Sequence, residues 1–323
     1  MKKVVVMGGG TGAFVVLSGL KQYPVNISAI VSVMDSGGST GRLRDQYGVV
    51  PPGDLRQCLV ALSKASDLWR KLFLYRFSTG DFKGHNFGNI FLTALEKNAK
   101  NYQEVINVAS YILQIQGKVI PVTFDNVNLG VKYEDGEIIF KEDLIDTAFH
   151  KKSRIVSAFL KPKATVNPAA KNAILLADYI VIGPGDLYTS LIPNILVKGI
   201  SESITKGKGK IIYILNLMTK RGQTTDYFAS DHISDLEYYI GRKIDLVIVN
   251  KTVMGNRVRE YYNKYDEKQI VDDLPQDQFI KRENLLAKKI YHQNIADNTL
   301  RSLVRHDSGK LGRALWSIIN KRT

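Results

Sequence analysis

Short apolar runs alternate along the chain with longer segments in which apolar residues recur every three or four positions. Most of the runs are continuously apolar and rich in β-branched residues, which is typical of strands buried on both faces. Strands that alternate with helices indicate βαβ units, so the pattern predicts an α/β fold with a mostly parallel sheet and helices on both of its faces. The predicted strands are residues 3–7, 27–33, 154–160, 178–182, 210–215 and 244–249.

Two regions depart from this alternation. Residues 55–116 have helical periodicity throughout, with Leu55, Leu59 and Leu62 on one face. Residues 128–141 contain an Asp-Gly pair between two strand-like runs, which predicts a β-hairpin. We interpret both regions as insertions into a single α/β domain over residues 1–323, because no linker, low-complexity tract or internal repeat marks a boundary.

Two helix starts carry capping signals. Asn167 precedes Pro168, which predicts an N-cap followed by proline in the first turn. Asp307 precedes the apolar pattern of the last predicted helix, which we expect to bury Leu311 and Leu315.

The composition is that of an ordinary globular chain, with 44% hydrophobic and 24% charged residues among 323. Cys58 is the single cysteine, which excludes an intramolecular disulfide and a cysteine-based zinc site. The sequence has no signal-peptide pattern and no uninterrupted apolar stretch long enough for a membrane helix. We therefore expect a cytoplasmic protein without a membrane span.

The formal net charge of +14 is in the range of nucleic-acid-binding proteins. The basic residues are densest in residues 151–171 and 281–323, but they are dispersed among apolar positions and form no RNP, KH, zinc-finger or recognition-helix motif. We therefore favour a solvated basic surface, or one suited to small anionic ligands, over nucleic-acid binding.

The first predicted strand runs into Gly8-Gly9-Gly10-Thr11-Gly12-Ala13, which contains the spacing G-x-G-x-x-A. Between a strand and a helix, such glycines allow backbone N–H groups to approach a phosphate, while the helix N-terminus contributes partial positive charge. The alternative is a tight strand-to-helix turn without a ligand. We predict ligand contacts for residues 8–12.

The second predicted strand is followed by Asp35-Ser36-Gly37-Gly38-Ser39-Thr40-Gly41-Arg42, whose glycines and hydroxyls are typical of an anion-binding nest. Arg42 and Arg44 are close enough in sequence to help neutralise a phosphate. Asp35 lies where a ribose-binding carboxylate is expected, and an acid after a strand is equally often a helix cap. The predicted ligand contacts are Asp35, Gly37, Gly38, Ser39, Thr40 and Arg42.

Polar loops also follow the later strands. Gly183-Pro184-Gly185-Asp186-Leu187-Tyr188 follows one strand, Asn216 and Thr219 follow the next, and Asn250 follows the last. The carboxyl ends of parallel strands lie at one edge of the sheet, so we expect all five loops to converge on one crevice. Asn216 and Thr219 are predicted ligand contacts, with Gly183, Gly185 and Tyr188 as further candidates.

Two more segments are candidates for this crevice. Pro51-Pro52-Gly53-Asp54-Leu55-Arg56 opens a helix, with Asp54 as its expected N-cap and Arg56 inside it. Gly84-His85-Asn86-Phe87-Gly88-Asn89 places an imidazole and two amides beside another helix start. Capping is favoured over ligand binding for Asp54, whereas a structural hydrogen bond and a ligand contact are equally open for His85. The further candidate contacts are Asp54, Arg56, His85, Asn86 and Asn89.

Taken together, these motifs carry a family resemblance. GGGTG, DSGGSTGRLR, PPGDLRQCL, GHNFGN, GPGDLYTS, NLMT and the segment LVRHD at 303–307 occur in this order over almost the whole chain. The chain resembles the bacterial gluconeogenesis-factor (YvcK-like) family, which is similar to the CofD-like 2-phospho-L-lactate transferases of coenzyme F420 synthesis. The resemblance implies a Rossmann-like fold and a UDP-sugar ligand, notably UDP-N-acetylglucosamine, linked to growth and cell shape on gluconeogenic carbon sources.

By this resemblance, the GGGTG loop and residues 35–42 would hold the nucleotide and its diphosphate. Arg305 of the Arg-His-Asp motif and a tyrosine ahead of it would hold the sugar. Tyr262 matches that tyrosine best, and Tyr265 is the alternative. The first loop alone does not distinguish a UDP-sugar from an NAD-type or GDP-type ligand.

The chain departs from the family pattern at two places. Ser36 stands where the family commonly has a second aspartate, and Thr219-Lys220-Arg221-Gly222-Gln223-Thr224 stands where it commonly has TQxGET. Both changes remove carboxylate oxygens, which hard divalent cations prefer. Asp35 and Asp54 are left as the candidates for a magnesium site.

These departures favour a nucleotide-binding regulatory protein, which needs only a preorganised pocket and a surface that changes on occupancy. No cofactor is certain for this role. The alternative is a magnesium-dependent transferase that moves a phospho-lactyl-type group from a nucleoside-diphosphate donor. The expected partner is in both cases an anionic nucleotide small molecule. Catalysis and homo-oligomerisation are left open.

Overall fold

The computed structural model describes residues 1–291 and 302–321. The strands in these residues are β1 Lys2–Gly8, β2 Val25–Val31, β3 Lys118–Pro121, β4 Asn128–Tyr133, β5 Ile138–Phe140, β6 Ile155–Lys161, β7 Tyr179–Ile182, β8 Lys210–Ile214, β9 Leu246–Asn250 and β10 Ile280–Glu283. The α-helices are α1 Gly10–Leu20, α2 Gly38–Tyr47, α3 Pro52–Leu62, α4 Asp67–Leu74, α5 Phe87–Asn98, α6 Tyr102–Leu113, α7 Glu142–Asp146, α8 Pro168–Leu175, α9 Ile192–Ile195, α10 Ile200–Lys206, α11 Ala229–Ile240, α12 Asn256–Asn263 and α13 Ser308–Ile319. A short π-helix at Leu187–Leu191 precedes α9.

The main sheet of the described residues has seven strands in the order β10-β9-β8-β7-β1-β2-β3. All neighbouring strands in it are parallel, which confirms the predicted α/β sheet. β1 and β7 lie side by side, and the chain winds outward from β1 in one direction and from β7 in the other. The loops that follow these two strands therefore diverge and leave a crevice at the carboxyl edge, the usual ligand position in such sheets.

Helices cover both faces of this sheet. Val4 and Val6 of β1 belong to a core with α1, α3, α6 and α13, whereas Val5 and Met7 belong to a core with α8, α9, α10 and α11. The side chains of a strand point alternately to opposite faces, so each central strand contributes to both cores. This arrangement accounts for the continuously apolar strands in the sequence.

α1 and α13 approach each other with backbone against backbone. A Cβ atom on Gly19 would lie 2.2 Å from the carbonyl oxygen of Ser308, and one on Gly312 would lie 2.8 Å from the carbonyl oxygen of Gly19. Glycine is required at both positions because any side chain would separate the two helices. α13 thus packs against and supports α1, the helix that begins in the first glycine-rich loop.

The predicted hairpin is present, but it belongs to a second sheet. Within the described residues, β4 pairs antiparallel with β5 and with β6 in a three-stranded sheet. The prediction that residues 154–160 join the parallel sheet is therefore wrong. Val156 of β6 is 52% exposed, so this strand is buried on one face and pairs with the open edge of the hairpin.

The predicted helical region and the two predicted N-caps are present in the structure. α3, α4, α5 and α6 occupy the region predicted to be helical, with a non-helical segment at 75–86. Asn167 caps α8 by accepting from the Ala169 N–H at 2.9 Å, and Asp307 caps α13 by accepting from the Lys310 N–H at 2.8 Å. The single-domain interpretation with two insertions stays a prediction.

β3 and β10, which are four residues each, were not predicted from the sequence. In the part of the chain that the structure describes, no helix combines the length and apolarity that a bilayer crossing requires.

Candidate functional site

A cavity of about 490 Å³ lies where the loops after β1, β2, β7 and β8 meet. Gly9, Asp35, Gly185 and Asn216 represent these four loops in its lining. The predicted convergence of loops is therefore observed for four of the five strands. Asn250, the last residue of β9, is the exception, because its side-chain amide bonds to the backbone of Thr252 and Leu285 and does not line the cavity.

The first glycine-rich loop forms one wall of the cavity. Gly9, Gly10, Thr11 and Gly12 line it, and α1 begins at Gly10. The carboxylate of Asp54 lies against this loop, because Cβ atoms on Gly9 and Gly10 would lie 2.5 Å and 3.0 Å from its oxygens. The N-terminus of α1 thus already has a negative group beside it, as the partial positive charge of a helix start favours.

Residues of the second loop form the next wall. Asp35, Gly37, Gly38, Ser39 and Thr40 all line the cavity. Asp35 accepts a hydrogen bond from the Gly37 N–H at 2.9 Å, directly before α2 begins. The N-termini of α1 and α2 therefore both border one cavity, which is the arrangement predicted for a bound phosphate group.

The arginines predicted to accompany this loop lie elsewhere. Arg42 donates to the carbonyl of Lys83 at 3.1 Å and lines a neighbouring cavity, not the main one. Arg44 donates to the carbonyl of Val127 at 3.0 Å and to the side chains of Asn126 and Asn128, which anchors the start of β4. Both arginines follow the first turn of α2, so the helix carries them away from its N-terminus.

Arg56 and Arg76 supply the positive charge on this side of the cavity. Arg56 is buried and donates through Nε to Asn89 Oδ1 at 2.7 Å and through Nη1 to the carbonyl of Phe73 at 3.0 Å. Arg76 donates to the carbonyl of Gly84 at 2.7 Å. These bonds hold both guanidinium groups in place at the cavity wall.

The expected capping role of Asp54 is wrong. α3 begins at Pro52 with Pro51 in the N-cap position, so Asp54 lies inside the first turn and lines the cavity. Arg56 accordingly lies deeper in α3 than predicted. The proline doublet is the signal that marks this helix start, since proline favours the first helical position.

The His-Asn segment lies mostly behind the cavity wall. Nδ1 of His85 is 3.3 Å from Ser39 Oγ, and burial, together with Arg42 and Arg76, lowers the pKa of His85. Asn86 caps α5 by accepting from the Asn89 N–H at 3.3 Å. Of the three polar candidates in this segment, Asn89 alone lines the cavity.

Three candidates after β1 and β7 also lie outside the lining. Gly8 pairs with Val31 inside the sheet, and the Gly183 N–H donates to the carbonyl of Met7 at 3.1 Å. The hydroxyl of Tyr188 donates to Asp235 Oδ2 at 2.7 Å in the core. These residues support the cavity from behind, whereas Gly185 borders it directly.

An acidic wall was not predicted from the sequence. Its residues come from α7 and from the segments after β7 and α12, and they are Glu142, Asp143, Asp146, Asp186 and Glu267. Burial, with the nearby carboxylates of Asp146, Asp35 and Asp54, raises the pKa of Glu142 well above its usual range. Burial also raises the pKa of Asp146 to about 6, although Lys220 opposes the shift.

The carboxylates of the cavity do not form a group of three metal ligands. Among residues 1–291 and 302–321, no group of three or more Asp, Glu, His or Cys side chains is placed to hold a metal ion. The candidates Asp35 and Asp54 both line the cavity, and their role as magnesium ligands stays a prediction.

The tyrosine and arginine candidates come from α12 and from the segments that follow it in the chain. Tyr262, Tyr265 and Arg305 all line it. The hydroxyl of Tyr262 accepts from the backbone N–H of Leu303 at 2.9 Å and so ties α12 to the segment that carries Arg305. Tyr265 packs its ring 5.2 Å from that of Tyr261, and both rings border the cavity.

Asn216 and Thr219 lie between these walls. Asn216 Oδ1 accepts from the Gly185 N–H at 2.8 Å, which joins the loops after β7 and β8. Thr219 Oγ1 accepts from the Lys268 N–H at 2.9 Å. Both residues line the cavity, and ligand binding by any of the lining residues stays a prediction.

The family described as 2-phospho-L-lactate transferase CofD matches residues 4–292 of the chain. The chain belongs to the CofD family. A gluconeogenesis factor from Halalkalibacterium halodurans is 42% identical over 276 residues, which cover 84% of each chain. A gluconeogenesis factor from Listeria innocua is 39% identical over 320 residues, which cover 98% of this chain and 95% of that protein. The resemblance to the gluconeogenesis-factor family is thus confirmed.

A solved structure supports the same grouping. The crystal structure of a UPF0052-family protein from Bacillus halodurans matches this fold with a TM-score of 0.87 at 35% sequence identity. The match covers 97% of this chain and 99% of that chain. The Rossmann-like architecture implied by the motifs is therefore shared over nearly the full length of both proteins.

Proposed function

We propose that this protein is a cytoplasmic regulatory protein that binds a nucleotide sugar of the UDP-N-acetylglucosamine type at the carboxyl edge of its parallel sheet. In this role it supports growth and cell shape on gluconeogenic carbon sources. Its membership of the CofD family and its similarity to gluconeogenesis factors support the general role. The ligand and its regulatory use are the parts that experiment must test.

One observation carries the proposal. The N-termini of α1 and α2 border a single cavity at the point where the strand order reverses between β1 and β7. Backbone N–H groups at helix starts are suited to a diphosphate, and this position in the sheet is the usual place for a nucleotide. A volume of about 490 Å³ lies within the range of small-molecule sites.

The charges in the lining suit a ligand that carries both phosphate and hydroxyl groups. Helix N-termini and the guanidinium groups of Arg56 and Arg76 border the cavity, which favours negatively charged oxygens. Carboxyl groups of α7, with Asp186 and Glu267, border the same cavity and accept hydrogen bonds from hydroxyl groups. A nucleotide sugar carries a diphosphate and several hydroxyls, so it fits this lining better than a bare polyphosphate does.

We assign Arg305 and a tyrosine of the cavity lining to the sugar part of the ligand. The guanidinium group of Arg305 lies 4.1 Å from the ring centroid of Tyr291, which is a stacked position for a planar cation. Tyr265 is 38% exposed and offers its ring to a ligand, whereas the hydroxyl of Tyr262 already holds the backbone of Leu303. We therefore assign the ring contact to Tyr265 and a supporting role to Tyr262.

Binding without turnover is favoured over phosphoryl-type transfer. The transferase alternative needs a divalent cation to neutralise the bridging phosphates. Within the described cavity, no three acidic side chains are grouped to hold such a cation. The Lys220 ammonium and the arginines instead supply the positive charge in the lining.

Thermal unfolding with a panel of nucleotides tests this proposal. The panel contains UDP-N-acetylglucosamine, UDP, GDP and NAD, each with Mg²⁺ and with EDTA. A ligand that binds only the native state adds RT ln(1 + [L]/Kd) to the free energy of unfolding, about 2.7 kcal/mol at a hundredfold excess over Kd. We expect UDP-N-acetylglucosamine to raise Tm most.

Two results would contradict the proposal. No change in Tm and no binding heat at millimolar UDP-N-acetylglucosamine would remove the ligand assignment. Turnover of a nucleoside-diphosphate-activated phospho-acid with an acceptor, detected by chromatography, would replace the regulatory assignment with the transferase one.

A further inference from the structure

Lys220 lies in the acidic wall of the cavity with its side chain only 16% exposed. Its Nζ atom is 4.0 Å from Oε1 of Glu267, whose side chain is 12% exposed. The backbone N–H of Lys220 donates to Thr224 Oγ1 at 2.9 Å, which fixes the start of this side chain. A long cationic side chain is therefore held inside the site instead of extending into solvent.

The carboxylates around Lys220 are themselves held in place. Asp146 Oδ1 accepts from Thr189 Oγ1 at 2.9 Å and from Gln223 Nε2 at 2.6 Å. Glu267 Oε1 accepts from the Arg221 N–H at 3.4 Å. These bonds hold Asp146 and Glu267 in place in the same wall that contains the ammonium group.

The ammonium group is charged at neutral pH. Burial alone would lower the pKa of Lys220, but the carboxylates of Asp186, Asp146 and Glu267 outweigh that effect and raise it. An ionised lysine within a buried group of carboxylates compensates their charge, which would otherwise be costly to bury. The wall therefore contains its own cation.

Carboxylate oxygens, particularly beside the phosphates of a ligand, are also the environment that Mg²⁺ prefers. With Lys220 in place, the described acids do not form a group of three metal ligands, and the ammonium lies among them. We propose that Lys220 takes the place of a divalent cation in this wall, neutralising Asp146, Asp186 and Glu267 and making the binding of an anionic ligand independent of metal. The last part of this proposal rests on the proposed function.

The first experiment uses the metal ion alone as the probe. Lys220→Met keeps most of the length of the side chain but removes its charge, so the carboxylates lose their cation and can draw together around a metal ion. We expect Lys220→Met to gain Mn²⁺ binding, seen as loss of the free-ion signal in electron paramagnetic resonance and as a rise of Tm with Mn²⁺. The wild-type protein should show neither effect.

Lys268→Met is the matched control. Lys268 forms an exposed ion pair with Asp226 at 3.1 Å, close in space to Thr219 but not in the cavity lining. Its replacement removes the same charge from the same region without uncovering the acidic wall. A gain of Mn²⁺ binding in Lys268→Met equal to that in Lys220→Met would overturn the proposal.

Folding of Lys220→Met is itself informative. If this variant folds without metal and does not respond to Mn²⁺, Lys220 does not stand in for a cation. If it folds only when purified with Mn²⁺, the proposal is supported. Failure to fold in both conditions would show that Mn²⁺ cannot replace the ammonium, and the proposal would be rejected.

The second experiment measures UDP binding by calorimetry in EDTA and in Mg²⁺. Wild-type affinity should differ by less than about twofold between the two buffers, whereas Lys220→Met should lose about tenfold in EDTA and recover in Mg²⁺. A wild-type requirement for Mg²⁺ would overturn the proposal. Absence of UDP binding in both proteins, with Mn²⁺ binding gained as expected, would reject the proposed function and leave the assignment of Lys220 intact.

Discussion

Gly12 lies directly against Pro184, so that a methyl group on Gly12 would be 1.8 Å from the carbonyl oxygen of Pro184. This contact joins the loop after β1 to the loop after β7, the two neighbouring strands from which the sheet winds in opposite directions. The separation of the two loops at the floor of the cavity is therefore set by backbone atoms. The carbonyl of Pro184 belongs to the backbone of the loop after β7, so it cannot move aside as the end of a flexible side chain can.

Gly12→Ala should therefore destabilise the protein strongly. We expect a loss of about 2 to 3 kcal/mol in the free energy of unfolding, measured with urea, because the added methyl must displace backbone. Gly255→Ala is the control, since a Cβ there meets nothing within 4 Å. Gly255 is the N-cap of α12, where alanine is less favourable than glycine, so this change should cost no more than about 1 kcal/mol. Equal stability of the two variants would show that the contact with Pro184 is not needed.

Arg305→Ala should weaken UDP-N-acetylglucosamine binding by about tenfold or more, since a charge-assisted hydrogen bond to the ligand would be lost. The measurement is the ligand-induced shift in Tm, supported by calorimetry. Arg305→Lys keeps the charge but not the planar stacking on Tyr291, so it should recover only part of the affinity. A large loss of stability without ligand would instead make Arg305 a structural residue.

Tyr262→Phe should affect both stability and binding. It removes the oxygen that accepts from the Leu303 N–H, which costs about 1 to 2 kcal/mol and loosens the segment that carries Arg305. Tyr188→Phe is the comparison, because its hydroxyl bonds to Asp235 away from the cavity. It should lower the unfolding free energy by a similar amount while leaving the ligand Kd unchanged. Equal ligand Kd values for the two variants would argue against the coupling of Tyr262 to Arg305.

The stability of the protein should depend on pH through Asp146. Burial raises the pKa of this carboxyl from 3.8 to about 6. The folded protein therefore binds this proton more tightly than the unfolded chain does. Its stabilising contribution is therefore complete below about pH 4 and is lost as the pH rises through about 6.

Asp146→Asn tests this sign directly, because the amide keeps an oxygen that can accept from Thr189 and Gln223. Relative to wild type, the variant should gain unfolding free energy on the order of 1 to 3 kcal/mol between about pH 4 and about pH 7. Urea unfolding at several pH values gives the difference. Parallel stability curves for the two proteins would show that Asp146 ionises normally.

The sequence was sufficient to place the walls that follow parallel strands. The segments that form these walls follow β1, β2 and β8 in the chain, and the geometry of a parallel sheet brings such segments to one edge. They are residues 9–12, 35–40 and 216–219. Asn250 also lies at the carboxyl end of a parallel strand, but its side chain bonds to the backbone of Thr252 and does not reach the cavity. Strand order and side-chain direction, which decide between these outcomes, depend on tertiary packing.

The acidic wall shows what local patterns cannot reveal. Glu142 and Asp146 belong to a five-residue helix that follows the hairpin, and no periodicity connects this helix to the glycine-rich loops. Its place beside the cavity depends on contacts that are distant in sequence, such as the hydrogen bond from Ser36 Oγ to Asp143 Oδ1 at 2.5 Å. The indication in the sequence is stronger for Lys220, because this lysine stands where the family commonly has the glutamine of TQxGET.

Gly19 and Gly312 are in contact although nearly the whole described chain separates them in sequence. Contacts between such distant residues form only after the entropic cost of closing the intervening chain has been met. The wall that α1 contributes to the cavity therefore depends on long-range packing, and local unfolding of α13 should disorder this wall while most of the sheet persists.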